Sequence, residues 1–254
     1  MRAIRRHSGF LAIALMVALG SGCSTAPIIE GDEPEQPVFS AERVLQPGVT
    51  HVGDVYDPWD GFNRRVYRFN AFVDKNFLLP VTKGYQAVTP APVERSIHNF
   101  FTNFLNLNTI LNSALQFSPR KVVQTTGRVA VNTTLGVLGL FDPATRMGIP
   151  QHQEDFGQTL GRWGVGPGPY LVLPLLGPSS LRDGIGAGVD WYVNNRLREE
   201  IFAPETWHEV VWTTLFILDT RANVAFRYYE TGTPFEYRMV RMLITTKRRL
   251  DIER

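Results

Sequence analysis

Residues 155–188 have the sequence DFGQTLGRWGVGPGPYLVLPLLGPSSLRDGIGAG, and the interpretation of the whole chain starts from this stretch. It holds nine of the 22 glycines and four of the 17 prolines, a density that indicates a loop. Apolar side chains alternate with these residues, which is atypical of a disordered linker. We therefore predict an ordered, irregular and apolar segment. Because the polar backbone groups of such a segment need other protein or a wet cavity, we predict that it forms the wall or mouth of a channel.

The N-terminus has the features of a bacterial lipoprotein signal. Several arginines precede an apolar run over residues 10–19, which is too short to span a bilayer. Small residues then lead to Cys23, the only cysteine, although Gly20 stands where lipoprotein signals usually have leucine. We predict a signal peptide over residues 1–22, a lipidated Cys23 and a tether over residues 23–53. The alternative is an ordinary cleaved signal with an incidental cysteine.

The first helix of the folded part is predicted to begin at Asp57 and Pro58, which are residue types favoured at a helix N-cap and first turn. Apolar residues follow at helical spacing, and Phe62, Phe69 and Phe77 lie among them. Two interpretations stay open at this point. The apolar face packs against a protein core, or part of it meets lipid while the neighbouring arginines lie at headgroup level.

The rest of the chain is also predicted to be helical. The first helix should end before Pro80, and an irregular connection should follow over residues 81–92. A short helical piece is expected over residues 189–198. No alternating pattern is long enough to predict a strand. We therefore predict an all-α domain of six to eight helices over residues 54–250, with no repeat.

Several kinds of chemistry lack their sequence signals. The single cysteine and the scattered histidines give no metal-binding spacing, so we predict no metal and no cofactor. Neither a nucleophile elbow nor a dinucleotide-binding loop is present in a strand–turn–helix context. The formal net charge of +2 is too small to indicate nucleic-acid binding. We predict that the protein is not an enzyme.

One catalytic alternative has candidate residues. Glu154, Asp155 and Asp183 are carboxylates that could work as an acid–base pair in an envelope hydrolase, such as a phospholipase or a peptidoglycan hydrolase. Charged residues that flank an apolar loop are more often structural. We favour the interpretation in which these carboxylates pair with Arg162 and Arg182 or cap helices.

A set of motifs, in order along residues 54–245, resembles the MlaA/VacJ family of outer-membrane lipoproteins. Together with the signal that ends at Cys23, the main motifs are Asp57-Pro-Trp-Asp-Gly-Phe-Asn-Arg64, Pro80-Val81-x-Lys-Gly-Tyr85, Asn99-Phe-Phe-x-Asn103, Asp155-Phe-Gly-Gln-Thr-Leu-Gly161, Gly164-Val-Gly-x-Gly-Pro-Tyr170 and Leu181-Arg-Asp183. No single motif is decisive, and their order carries the resemblance.

The resemblance implies a single helical domain, embedded as a ring in the periplasmic leaflet of a Gram-negative outer membrane and bound to a trimeric porin. It implies removal of misplaced phospholipid from the outer leaflet. The lipid would pass to a soluble periplasmic carrier that serves an ABC transport system. A structural lipoprotein that tethers porins is a further alternative.

Within this picture, residues 155–188 supply the predicted lipid path. The glycines would shape the channel-side loop, two aromatic residues would sit at an interface depth, and three charged residues would face headgroups. These candidates are, in that order, Gly157, Gly161, Gly164, Gly166 and Gly168, then Trp163 and Tyr170, then Arg162, Arg182 and Asp183. The alternative is that the glycines only permit tight packing.

Overall fold

A computed structural model describes residues 55–202 and 206–253 of the chain. The signal peptide, Cys23 and the tether lie outside the described residues, so their predictions stay untested. Within the described part the chain is mostly helical, as predicted. The helices are α1 (Asp60–Val73), α2 (Leu79–Val88), α3 (Ala91–Leu115), α4 (Pro119–Thr134), α5 (Pro143–Arg146), α6 (Phe156–Arg162), α7 (Leu181–Phe202), α8 (Thr206–Asn223) and α9 (Glu236–Glu253). One π-helical turn (Asp74–Leu78) and two strands, β1 (Tyr170–Leu173) and β2 (Gly177–Ser180), complete the elements.

Asp57 does not cap α1, contrary to the prediction. The helix begins at Asp60, and Asp57 instead accepts hydrogen bonds from the side chains of Asn63, Tyr237 and Arg241 at 2.7–2.8 Å. Its carboxylate therefore joins the start of α1 to α9. A buried partner 184 residues away in the sequence overrides the local capping signal.

The predicted helix end before Pro80 is also wrong. The backbone N–H of Leu79 donates to the carbonyl of Asp74, five residues back, which widens the helix just ahead of the proline. The wider turn accommodates a residue that lacks an N–H and whose ring would clash with a regular helical turn. The chain therefore stays helical to Val88, through most of the connection predicted over residues 81–92.

Residues 155–188 are more regular than predicted. They contain α6, an antiparallel hairpin and the start of α7. In the hairpin, Tyr170 lies opposite Ser180 and Leu173 lies opposite Gly177. The prediction of no strand was wrong here because each strand has only four residues, too few for an alternating pattern to stand out.

Helix α7 begins earlier than the piece predicted over residues 189–198. The hydroxyl of Ser180 accepts from the backbone N–H of Asp183 at 3.1 Å and donates to the Asp183 carboxylate at 2.9 Å. This reciprocal arrangement satisfies donors at the helix start. The glycines of the first turns therefore lie inside a capped helix rather than in a loop.

Two asparagines of α1 hold the hairpin. Asn63 donates from Nδ2 to the carbonyl of Tyr170 at 3.0 Å and accepts from the N–H of Val172 at 2.9 Å. Two helical turns later, Asn70 donates to the carbonyl of Leu173 at 2.9 Å and accepts from the N–H of Leu175 at 2.8 Å. These side-chain amides bond to β1 and to the turn that follows it, much as the backbone of a third strand would.

We expect Asn63→Ala to destabilise the protein by about 2 kcal/mol or more, because it leaves a buried backbone N–H and C=O without their partner. Asn76→Ala is the matched control, since Asn76 is exposed and, among the described residues, its side chain bonds only to the Phe72 carbonyl one turn earlier. Thermal unfolding in a non-ionic detergent, followed by circular dichroism, measures the difference. Equal loss of stability in both variants would contradict the role of Asn63.

Over part of the fold, polar side chains are buried and large apolar side chains are exposed, the reverse of the usual arrangement in a globular protein. The buried face of α1 contains Asn63 and Asn70, and the buried face of α3 is also rich in asparagine. By contrast, Phe62, Phe69 and Phe77 are 54%, 50% and 57% exposed. These phenylalanines therefore do not pack in a core, and their contact with lipid remains a prediction. In the described residues, no helix has both the length and the apolar composition needed to cross a bilayer.

Candidate functional site

Three cavities share one charged wall. We call them the polar, aromatic and glycine-loop cavities, with volumes of about 1230, 380 and 630 Å³. Arg248 lines all three. Asp155 lines the polar and aromatic cavities, and Asp183 lines the aromatic and glycine-loop cavities. We call these three residues the Arg248 cluster.

Three different helices bring the Arg248 cluster together. Asp155 caps α6 by accepting from the N–H of Gln158 at 2.8 Å, and Asp183 lies in the first turn of α7. From α9, Arg248 donates to Asp155 through Nη1 at 2.6 Å and to Asp183 through Nη2 at 3.2 Å. Arg182 donates from Nε to Asp183 at 3.0 Å. Two guanidinium groups thus balance two carboxylates.

The network favours the ionised forms of Asp155 and Arg248. Burial would raise the pKa of Asp155, but its hydrogen bonds with Arg248 and Gln158 outweigh this effect and hold the pKa below its ordinary value. Burial likewise acts to lower the pKa of Arg248, whereas its bonds to the two carboxylates hold that pKa above the ordinary value. The shared wall is therefore charged but locally neutral.

Asp190 extends this wall further along α7. It accepts from Asn108 at 2.9 Å, from Asn112 at 3.2 Å and from the N–H of Phe156 at 2.9 Å. Burial raises the pKa of Asp190, although these hydrogen bonds act in the opposite direction. Sequence reasoning missed both Asp190 and Arg248. The asparagine-rich face of α3 was the available signal, because buried amides need polar partners.

The polar and aromatic cavities differ in chemistry. Amides and charged pairs line the polar one, where Lys121 donates to Glu154 at 2.6 Å. Asn106 and Asn108 also line this cavity, and each has one buried amide atom without a hydrogen-bond partner among the described residues. The aromatic cavity is lined by Phe104, Trp191, Trp212 and Phe216 besides its charged wall. Together they offer adjoining surfaces for the two ends of an amphiphile.

The five candidate glycines differ in the space around them. A Cβ on Gly157 would lie 2.7 Å from an Asp183 carboxylate oxygen, and one on Gly161 would lie 2.6 Å from Ile252. A Cβ on Gly164 or Gly166 would meet nothing within 4 Å. Gly161, Gly164 and Gly166 line the glycine-loop cavity. Gly168 has a φ of +66° and lies near Leu181.

Of the other five candidates, two are exposed and three lie in the interior. Trp163 is exposed, with its Nε1 donating to the Leu115 carbonyl at 3.0 Å, and Arg162 is exposed beside it. Tyr170 is buried in the core with Tyr67 and Tyr237. Arg182 and Asp183 are brought into the charged wall described above. Their roles toward lipid remain predictions.

A family model and individual relatives point to the same protein family. The family model described as MlaA lipoprotein matches residues 55–251. An uncharacterised Rickettsia felis protein is 40% identical over 144 residues, 57% of each chain. The Escherichia coli intermembrane phospholipid transport system lipoprotein MlaA is 37% identical over 141 residues, 54% of this chain and 56% of that protein. The alignments thus span little more than half the length of these curated relatives.

A solved structure gives an independent comparison of the fold. It is described as the structural basis for maintenance of bacterial outer membrane lipid asymmetry. Its TM-score is 0.60 at 27% sequence identity, and the match covers 78% of this chain and all of the solved one. Because the family model matches well over half of the sequence, this chain belongs to the MlaA lipoprotein family.

Proposed function

We propose that this protein is a Gram-negative outer-membrane lipoprotein, anchored through Cys23, that removes mislocalised phospholipid from the outer leaflet. It passes the lipid to a periplasmic carrier and so maintains the lipid asymmetry of the outer membrane. The observation that carries the proposal is the charged wall at which the polar, aromatic and glycine-loop cavities adjoin. The names of the Escherichia coli relative and of the solved structure support the same function.

The physics of lipid transfer explains why adjoining cavities are useful. Moving two tails of about sixteen carbons into water costs on the order of 25 kcal/mol, at about 0.8 kcal/mol per CH₂. This figure is an upper bound, because the tails fold against each other. A protein lowers the cost when the tails contact aromatic surface while the headgroup contacts polar groups. The aromatic and polar cavities provide these two surfaces on either side of Asp155 and Arg248.

The outer surface supports contact with the membrane, and the location in our proposal is its periplasmic leaflet. The exposed phenylalanines of α1 and its extension (Phe62, Phe69 and Phe77) would contact acyl chains or the apolar belt of a trimeric porin. The released lipid would go to a soluble carrier of an ABC transport system. Because the proposed task moves lipid without changing its bonds, it assigns no catalytic role to Glu154, Asp155 or Asp183.

Gly166→Trp tests the lipid path more directly than Gly161→Trp does. Gly166 lines the glycine-loop cavity and a Cβ there would meet nothing within 4 Å, whereas a Cβ on Gly161 would lie 2.6 Å from Ile252. We expect Gly166→Trp to increase outer-leaflet phospholipid and detergent sensitivity several-fold while the protein remains in the membrane. Gly127→Trp is the control, because Gly127 also has open space around it and lies in α4. Normal asymmetry with Gly166→Trp would contradict a path through this cavity.

Thin-layer analysis of lipids that co-purify with the protein separates the proposed function from its alternatives. Intact phospholipid is the expected result. Release of free fatty acid or of peptidoglycan fragments would support an envelope hydrolase instead. Lost porin association with normal lipid asymmetry in a variant would support a tethering lipoprotein.

A further inference from the structure

The loop over residues 135–141, which we call the apolar loop, presents large apolar side chains to the surroundings. These are Leu135, Val137, Leu138, Leu140 and Phe141. Val137 and Leu138 have φ values of +52° and +56°. Left-handed backbone is unusual for any residue with a side chain and especially for a β-branched one. Such a conformation persists only where the surrounding structure enforces it.

Hydrogen bonds from α3 and α4 anchor the C-terminal end of the apolar loop. Arg128, which is 1% exposed, donates to both carboxylate oxygens of Asp142 at 2.8 and 3.0 Å and to the Ile149 carbonyl at 2.6 Å. Asn132 donates to the same carboxylate at 2.9 Å. On the other side, Asn99 of α3 donates to the Leu140 carbonyl at 3.2 Å. The C-terminal end of the apolar loop is therefore anchored at Leu140 and Asp142, and its apolar side chains are exposed.

A notch of about 510 Å³ separates the apolar loop from the first turns of α3. Leu135, Leu140 and Phe141 form part of its lining, and Arg95 and Arg146 supply two cations. Both arginines are exposed, and neither forms an ion pair within residues 55–202 and 206–253. Asp142 also lines the notch, but its charge is matched by Arg128. The notch thus combines two uncompensated cations with an apolar wall.

We propose that this notch binds the phosphate group of a membrane lipid whose acyl chains lie against the apolar loop. Guanidinium groups match phosphate oxygens in charge and in hydrogen-bond geometry. Exposed apolar side chains next to them favour a lipid phosphate over a free phosphate ion, because the acyl chains cover them. The notch shares no lining residue with the polar, aromatic or glycine-loop cavities, so this site does not rest on the proposed transport path.

Photo-cross-linking localises the lipid. The full-length protein in a non-ionic detergent is irradiated with phosphatidic acid that carries a diazirine on one acyl chain, and the labelled peptides are mapped by mass spectrometry. We expect labelling within residues 135–141 that falls about tenfold in R95Q/R146Q, since each charge-assisted hydrogen bond contributes strongly to binding. R120Q removes an exposed arginine outside the notch and should label like the wild type, whereas R95Q and R146Q alone should each label less.

Three results would overturn the proposal. The first is unchanged labelling of the apolar loop in R95Q/R146Q. The second is equal labelling by a diacylglycerol with the same diazirine, which has no phosphate. The third is competition by inorganic phosphate as strong as that by dihexanoyl phosphatidic acid, which would identify a free-phosphate site. Unchanged circular dichroism of the variants controls for folding, and labelling at the other cavities is the internal reference.

Discussion

Alanine at position 186 is expected to force α6 and α7 apart and to destabilise the protein by about 1–3 kcal/mol. A Cβ on Gly186 would lie 2.4 Å from the backbone nitrogen of Gly157 and 2.7 Å from its Cα. Backbone atoms cannot rotate away as a flexible side chain can, so one helix has to move. Because Asp155 caps α6 and Asp183 lies on α7, the movement should also disrupt the Arg248 cluster.

Gly188→Ala is the matched control for this prediction. It makes the same substitution in the same helix, but a Cβ there would meet nothing within 4 Å. Replacing an unconstrained helical glycine should stabilise the protein by about 0.5–1 kcal/mol. Thermal unfolding of both variants in the same detergent should therefore give shifts of opposite sign. A Gly186→Ala variant as stable as Gly188→Ala would show that the close approach of the two helices does not matter.

Arg248→Gln is expected to reduce both stability and function, because it removes the cation that lines all three cavities. Breaking a fully buried ion pair costs about 3–5 kcal/mol. The Asp155 side chain is 35% exposed, so solvent screening reduces the loss to about 1–3 kcal/mol. Cells that produce this variant should accumulate phospholipid in the outer leaflet. The reason is that Asp155 and Asp183 line the proposed lipid path and lose the arginine that both of them bind.

The pH dependence of this loss has a defined sign. The pKa of Asp155 is lowered in the folded protein, so its contribution to stability is present above the ordinary carboxyl pKa of about 3.9 and is lost as the pH falls through the lower, folded-state value. The stability difference between the wild type and Arg248→Gln should therefore shrink in strongly acidic solution. Arg249→Gln is the control, since the exposed Arg249 forms no ion pair among the described residues. A pH-independent difference would exclude the Asp155 pair as its source.

Residue patterns predicted the family and the helical class, but not the contacts that build the candidate site. The motifs from Asp57 to Asp183 and their order indicated the family. The helical class followed from the spacing of apolar residues, which is a local property of the sequence. They did not predict the continuation past Pro80, where a π-helical turn accommodates the ring. Nor did they predict the hairpin, which asparagines on α1 hold from more than 100 residues away.

The sequence by itself determined which residues share a helix face, which residues have unusual backbone freedom and which family the chain belongs to. Only the tertiary structure decided which faces are covered. Phe62 and Asn63 are adjacent in the sequence and lie on different faces of α1. Burial depends on the elements that pack there, and these cover the asparagine and leave the phenylalanine exposed. Arg248 and Asp155, which are 93 residues apart, meet for the same reason, because the packing of α6, α7 and α9 places them in one wall.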